Sequence, residues 1–254
     1  MEIILLTLVN HSYCVYTDPM RASDVAYTAL RDDIVEGRLA PDTVLGEVEQ
    51  SERLGVSRTP IREAFSRLTA AGLALQSPGR GTVVSPISLA DVDHLFELRI
   101  PLETQATQLA AQRGERAPFA TLAEEFAAVA EHGPGTADQP GAPDQPSTSE
   151  YYRLAAELDA AVDAAVANPY LSTALQSLRV HLVRIRRLAQ DEPQRLTASA
   201  YEHRDICRAI AAGDPELARA AAAVHLRRSL TYIKAAAENQ TSQEDSLRKE
   251  AIPS

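Results

Sequence analysis

Between residues 22 and 37 the apolar positions fall at Val25, Ala26, Ala29, Leu30 and Ile34, the three-and-four spacing that one face of a helix requires. Ser23 or Asp24 is placed to cap it and Gly37 to stop it. After the Pro-containing stretch 38–46, a short helix is predicted over 47–54, ended by Gly55, and a longer one over 57–71, ended by Gly72. Two β-prone runs, LALQ and TVVS, then flank a turn at Pro78-Gly79 and read as a hairpin. Helix, helix–turn–helix and hairpin, in that order, make a winged helix–turn–helix module.

Beyond Pro86 the period stays helical and the runs lengthen. Ala/Leu-rich helices are predicted at about 89–113, 118–131, 150–167, 170–189, 194–212 and 215–238. Asn168-Pro169 and Gly213-Asp214-Pro215 punctuate the joins, since Gly or Asn suits a helix stop and Pro a helix start. The stretch GPGTADQPGAPDQPSTS at 133–149 is too rich in Pro, Gly and small polar residues to bury a core and reads as a flexible loop. The fold class is mainly α: an N-terminal winged helix–turn–helix with a small β-hairpin wing, followed by an all-α bundle. The expected divisions are an extension at 1–19, the winged module at 20–86, the bundle at 87–238 and a polar, frayed tail at 239–254.

Composition agrees with this. A chain of 254 residues without Trp and with only 4 Phe and 8 Tyr suits helices, and its length suits two modest domains. Cys14 and Cys207 lie far apart with no CxxC pairing, which points to a reduced, cytoplasmic setting. The apolar run near the N-terminus is much shorter than a membrane span and lacks a basic leader, so neither a membrane partner nor a signal peptide is expected.

Charge changes the picture more. The net charge is -10, yet between Arg53 and Val84 five arginines (Arg53, Arg58, Arg62, Arg67, Arg80) face one acid, Glu63. Phosphate affinity follows such local charge rather than the sum. On a helix beginning near Ser57, unpaired backbone N–H groups and the positive dipole end lie at the first turn. Ser57 and Thr59 can cap that turn or donate to a phosphate, and Pro60 costs nothing there. Arg58 and Arg62 share one face, opposite the docking stripe Ile61, Phe65 and Leu68. Such an N-terminus suits entry into the major groove, where arginine pairs bidentately with guanine. Arg80, between Gly79 and Gly81 at the hairpin tip, is placed like a wing residue reaching the minor groove or a phosphate. Arg67 reads more simply as a solvating residue.

The string LGVSRTPIREAFSRLTAAGL, continued by PGRGTVV, resembles the DNA-binding domain of the GntR family of bacterial transcription regulators, in its FadR-like branch. The resemblance implies that Arg58, Thr59, Arg62 and Gly81 meet operator DNA. Two departures stand out: Gln50 occupies a position usually held by leucine, and Val48 one where some members carry a DNA-contacting arginine. DVDHLFELRIPLETQATQLAAQRG and EHRDICRAIAAGDPELARAAAAVHLRRSL resemble the opening and closing helices of the FCD effector domain. That likeness implies a homodimer, a small-molecule carboxylate effector and a bound divalent metal ion, zinc- or nickel-like.

The residues speak to such a site in part. His203 shares a stripe with Ile206, Cys207 and Ile210, and His225 faces it from the next helix. Imidazoles on neighbouring antiparallel helices can meet on a divalent ion, and their separation matches the last two metal histidines of the family. The family pattern of Asp, three residues, His falls on Ala155 and Asp159. Asp159 lies on the stripe Tyr152, Ala155, Val162 and Val166, which predicts an inward carboxylate; Asp163, one turn on, is the alternative and reads as more exposed. A buried Asp159 needs either a metal shared with His203 and His225 or an arginine, Arg99 or Arg184. His181 is a replacement ligand or a core residue. Arg99 either binds an effector carboxylate, as the resemblance implies, or pairs with Glu103 four residues on.

The expected function is a ligand-responsive transcription regulator, a repressor by preference, that grips a palindromic operator in double-stranded DNA as a homodimer. Two rivals remain: a metal-free regulator of the same type, and a metal-dependent enzyme using Asp159, His203 and His225. No general base stands beside that set and no GxSxG motif occurs, so catalysis is not expected.

Overall fold

The computed structural model describes residues 21–132, 148–188 and 192–250; the extension expected at 1–19, Cys14 and nearly all of the loop expected at 133–149 lie outside these. Three helices and a hairpin open the chain: α1 (Ala22–Val35), α2 (Glu47–Leu54), α3 (Arg58–Ala70), β1 (Ala74–Ser77) and β2 (Gly81–Val84). The strands pair antiparallel from Ala74↔Val84 to Ser77↔Gly81, and Val44 adds a bridge to Val83. Leu30, Ile34, Ile61, Phe65, Leu68, Leu73 and Val84 form the core of this unit. The sharp turn between α2 and α3 depends on Gly55, which ends α2 at φ 66°, a conformation open to glycine at little cost.

Gln50, in place of the leucine of the family, is buried yet satisfied: its Oε1 accepts from Arg53 Nε at 2.8 Å. Arg53 also reaches the buried Asp33 at 2.7 Å. The polar substitution therefore sits in a small ionic cluster between α1 and α2, as a buried amide must. Arg67 does more than solvate, because it bonds Asp24 at 2.7 Å and covers the Tyr27 ring at 4.0 Å, fastening α3 to α1.

Six helices follow: α4 (Leu89–Arg113), α5 (Arg116–His132), α6 (Thr148–Val166), α7 (Pro169–Leu188), α8 (Pro193–Ala212) and α9 (Pro215–Glu250). A capping box of Ser88 and Asp91 starts α4. Asn168 Oδ1 accepts from the backbone of Tyr170 and Leu171 to start α7, and Gly213 at φ 68° stops α8. α5 lies along α8, α4 along α9, and α8 along α9, around a core that includes Phe119, Phe126, Leu154, Leu175 and Ile210. α9 runs on to Glu250, so helical backbone extends into the stretch expected to be a frayed tail. Among the described residues α7 is the bundle helix in substantial contact with α1 of the winged unit, and it also touches α4 and α9.

Candidate functional site

The first turn of α3 is open. Ser57 is its N-cap and makes no side-chain capping bond, and Ser57, Arg58, Thr59 and Arg62 are all exposed. Both arginines are gathered by one carboxylate that the sequence pattern did not single out. Arg58 Nη2 donates to Glu47 Oε2 at 2.9 Å, and Arg62 Nε lies 3.0 and 2.9 Å from the two Glu47 oxygens. The Arg62 and Arg58 bonds hold the Glu47 carboxyl below its ordinary value of 4.5. At the wing, Gly79 and Gly81 take φ 75° and 79°, and Arg80 folds back to donate to the Asp42 carbonyl at 2.8 Å. Arg58 and Arg62 thus converge on one carboxylate at the exposed first turn of α3, while Arg80 is engaged by a carbonyl at the wing; a phosphate or a guanine edge can take over these donors. Val48, at the position where an arginine was absent, is 53% exposed and adds no charge.

In the bundle, Asp159, His203, His225 and Arg99 do line a single cavity, of about 50 Å³, together with Glu103 and Arg179. His203 and His225 are buried, with ring centroids 4.3 Å apart. Tyr151 Oη lies 3.3 Å from His203 Nδ1. His225 Nδ1 is 2.8 Å from Glu202 Oε2, which leaves Nε2 as the nitrogen the ring can offer elsewhere. Burial pushes the His225 pKa below 6.5 against the opposing pull of Glu202. Glu202 is the hub of this region: Arg195 gives it two bonds, at 3.0 and 2.9 Å, and Arg228 a third at 3.3 Å. Burial raises its pKa, but the bonds from His225 and Arg195 prevail and hold it at about 2.

Asp159 departs from expectation. Its side chain is 45% exposed, and its partner is Arg179, Nε to Oδ2 at 3.2 Å, rather than Arg99 or Arg184. Asp163, expected to be the more exposed, has a side chain only 18% exposed and takes Arg179 Nη1 at 2.6 Å. Burial works against the Arg179 charge, but Asp163 and Asp159 more than offset it and its pKa rises. Arg99 is buried and donates to Glu103 at 2.6 Å, so it lines the cavity and makes the i,i+4 pair at once. His181 is not in this cavity; it reaches the Ala71 carbonyl at 3.0 Å.

These residues do not fit the three-ligand metal set. Ala155 offers no donor, and both carboxylates of the lining are already engaged by guanidiniums, Asp159 by Arg179 and Glu103 by Arg99. Among the described residues no group of three or more His, Cys, Asp or Glu side chains is arranged to hold a metal ion. Glu47, Arg179 and Glu202 are the residues that sequence reasoning missed. Only Glu202 left a readable signal, since Arg195 and Glu202 stand seven apart on one helix face.

A winged helix with an exposed, arginine-bearing recognition helix is joined to a helical bundle with an internal polar cavity, the architecture expected of a transcription regulator. The comparisons agree. Residues 22–84 match the model of the bacterial regulatory proteins of the gntR family, and residues 94–228 match the FCD domain. The chain belongs to the GntR family of bacterial regulatory proteins and carries an FCD domain.

A probable D-xylose utilization operon transcriptional repressor of Paenarthrobacter nicotinovorans is 31% identical over 213 residues, covering 82% of this chain and 85% of that protein. The transcriptional repressor RspR of Escherichia coli is 44% identical over 85 residues, or 34% of this chain and 37% of its own. The uncharacterized regulator YieP of Escherichia coli is 38% identical over 126 residues, 41% of this chain and 55% of its own. The chain therefore spans about half or less of the length of these last two relatives. In fold it is similar to McbR/YncC of E. coli, with a TM-score of 0.65 at 20% identity over 85% of this chain and 98% of that one. No helix among the described residues is long and apolar enough to cross a membrane.

Proposed function

We propose that the protein is a cytoplasmic, ligand-responsive repressor that binds a palindromic operator as a homodimer and is released by a small organic acid. The acid enters the bundle cavity and is held by Arg99, with Arg179 beside it, without a metal ion. Its carboxylate competes with Glu103 and Asp159 for the two guanidiniums, a bidentate exchange that arginine favours. The family membership and the repressor relatives support the sign of regulation.

The observation that carries the coupling is the path of α7. Arg179 lines the cavity, while two residues on His181 meets the Ala71 carbonyl at the end of α3. Arg184, one turn further, donates to the Ser85 carbonyl just past the wing. A cavity of about 50 Å³ is far below the roughly 300–1,000 Å³ of ordinary ligand sites. Admitting an acid therefore requires the lining helices, α7 among them, to part, and α7 transmits that shift to the recognition helix. Two sites and a connecting element with differential contacts are what an allosteric account needs.

The test is selection of the operator from random duplexes, followed by titration. The selected site is expected to be palindromic and to take two chains. Arg62→Ala should weaken it about ten- to a hundredfold while leaving random duplex much less affected. Equal operator binding by the two proteins would remove the docking model.

A further inference from the structure

A second cavity, of about 810 Å³, lies where the winged unit meets the bundle. Unlike the first, it falls within the range of sites that hold small molecules. One wall comes from Tyr27, the end of α3 and Leu75; the other comes from α4 and α7. Arg184 is on that lining and only 5% exposed. Its hydrogen bond goes to a neutral acceptor, the Ser85 carbonyl, and among the described residues no carboxylate lies within ion-pair distance of it. A buried guanidinium without a counter-ion is costly, and an arriving anion relieves that cost.

The other charges on the lining point the same way. Among the described residues Asp91 is the one carboxylate on that lining, and it accepts from the Ser88 backbone at 2.9 Å and the Ser88 hydroxyl at 2.7 Å. His94, His181, Tyr27, Ser85 and Ser177 add polar groups without a fixed negative charge. The rest is apolar, and Leu75 and Leu98 are left 37% and 52% exposed. We infer that this junction is a binding site for an amphipathic organic anion, whose carboxylate or sulfonate pairs with Arg184 and whose apolar body lies between Leu75, Leu98 and Leu178. Such a ligand touches both units and fixes the placement of the DNA-binding face. The site is separate from the Arg99 cavity and does not depend on how that cavity is read.

Anilinonaphthalene sulfonate is a suitable probe, because it joins an anion to an apolar body and the chain has no Trp to interfere. Titration of the full chain should show saturable binding, displaced by decanoate but not by neutral decanol. Arg184→Met should weaken binding about tenfold or more and abolish the preference for decanoate, whereas Arg184→Lys retains it. Arg99→Met should leave binding unchanged, which separates this site from the effector cavity. Should Arg184→Met fail to fold by circular dichroism, Leu98→Glu, a change at an exposed wall, should expel the probe instead. Unsaturable binding, equal displacement by decanol, or a folded Arg184→Met or Leu98→Glu variant that binds like the wild type would overturn the inference.

Discussion

Arg62 Nε stands 3.0 and 2.9 Å from the two carboxylate oxygens of Glu47, across fifteen residues of sequence, and Arg58 shares the same acceptor. The recognition helix of the free protein is thus held in readiness by an internal mimic of a phosphate. Glu47 must be displaced or shared when DNA arrives, and its charge then faces the polyanion. Replacing it by the isosteric amide frees the arginines and removes the repulsion. Glu47→Gln is expected to bind random duplex severalfold more tightly than the wild type at low salt, with the difference shrinking as salt is raised. Fluorescence anisotropy at a series of salt concentrations measures this; a weaker variant would show that Glu47 positions the arginines instead.

Glu202 makes a different kind of contribution. Its carboxylate is buried and accepts from Arg195, His225 and Arg228. Removing it leaves the Arg195 guanidinium largely desolvated without a counter-charge and takes the hydrogen-bond partner from His225 Nδ1, a loss of about 3–5 kcal/mol for a buried ionic group deprived of its partner. Glu202→Ala should therefore melt far earlier in urea, and Glu202→Gln should lie between the two, since the amide still accepts one bond. A wild-type midpoint for Glu202→Ala would mean that the network is solvated.

Two histidines, the buried His225 in that network and the half-buried His181 outside it, set the first response to acid. Burial holds His225 and His181 below their ordinary value of 6.5 in the folded chain, so the unfolded chain takes up protons first as pH falls. Stability should decline from neutral pH downward, by up to about 1.4 kcal/mol per pH unit for each histidine, until its folded pKa is reached. Glu202 acts lower: its folded pKa of about 2 against an ordinary 4.5 gives stability that is present above 4.5 and lost as pH falls towards 2. Melting temperatures between pH 8 and 5 should show the histidine limb, and His225→Gln should flatten it. An unchanged slope in that variant would place the titration elsewhere.

Much of the fold was legible because its signals are local. Gly55, Gly72, Pro78-Gly79, Asn168-Pro169 and Gly213 each impose a backbone conformation on their neighbours, and the helices between them carry their period in the chain. The site was less legible because its decisive pairs are tertiary. The stripe marks Ala155, Val162 and Val166 as the buried side of α6, but Asp159 on it stays 45% exposed, and its partner depends on where α7 places Arg179. Likewise the grip of Glu47 on Arg58 and Arg62 exists only once α2 and α3 meet at Gly55. Periodicity identifies a face; it does not say which charge arrives from the opposite helix.

That choice can be reversed by design. On α6, residues 155 and 159 are four apart, hence on one face, and both line the cavity with His203 and His225. In the present chain Arg179 is paired with Asp159 and Asp163, and Arg99 with Glu103, so a divalent ion would have to displace a guanidinium to gain any carboxylate beside the two imidazoles. Protein purified without chelator or histidine tag should therefore contain far less than one zinc or nickel per chain by elemental analysis. Combining Ala155→Asp, Asp159→His and Arg179→Ala supplies the missing donors and removes the competing cation. That variant should take up zinc near stoichiometry and lose it again when His225→Ala is added, since imidazole and carboxylate donors suit that ion. Near-stoichiometric metal in the wild type, lost in His225→Ala, would restore the metal-assisted reading and make Arg179 a neighbour of the ion rather than its replacement.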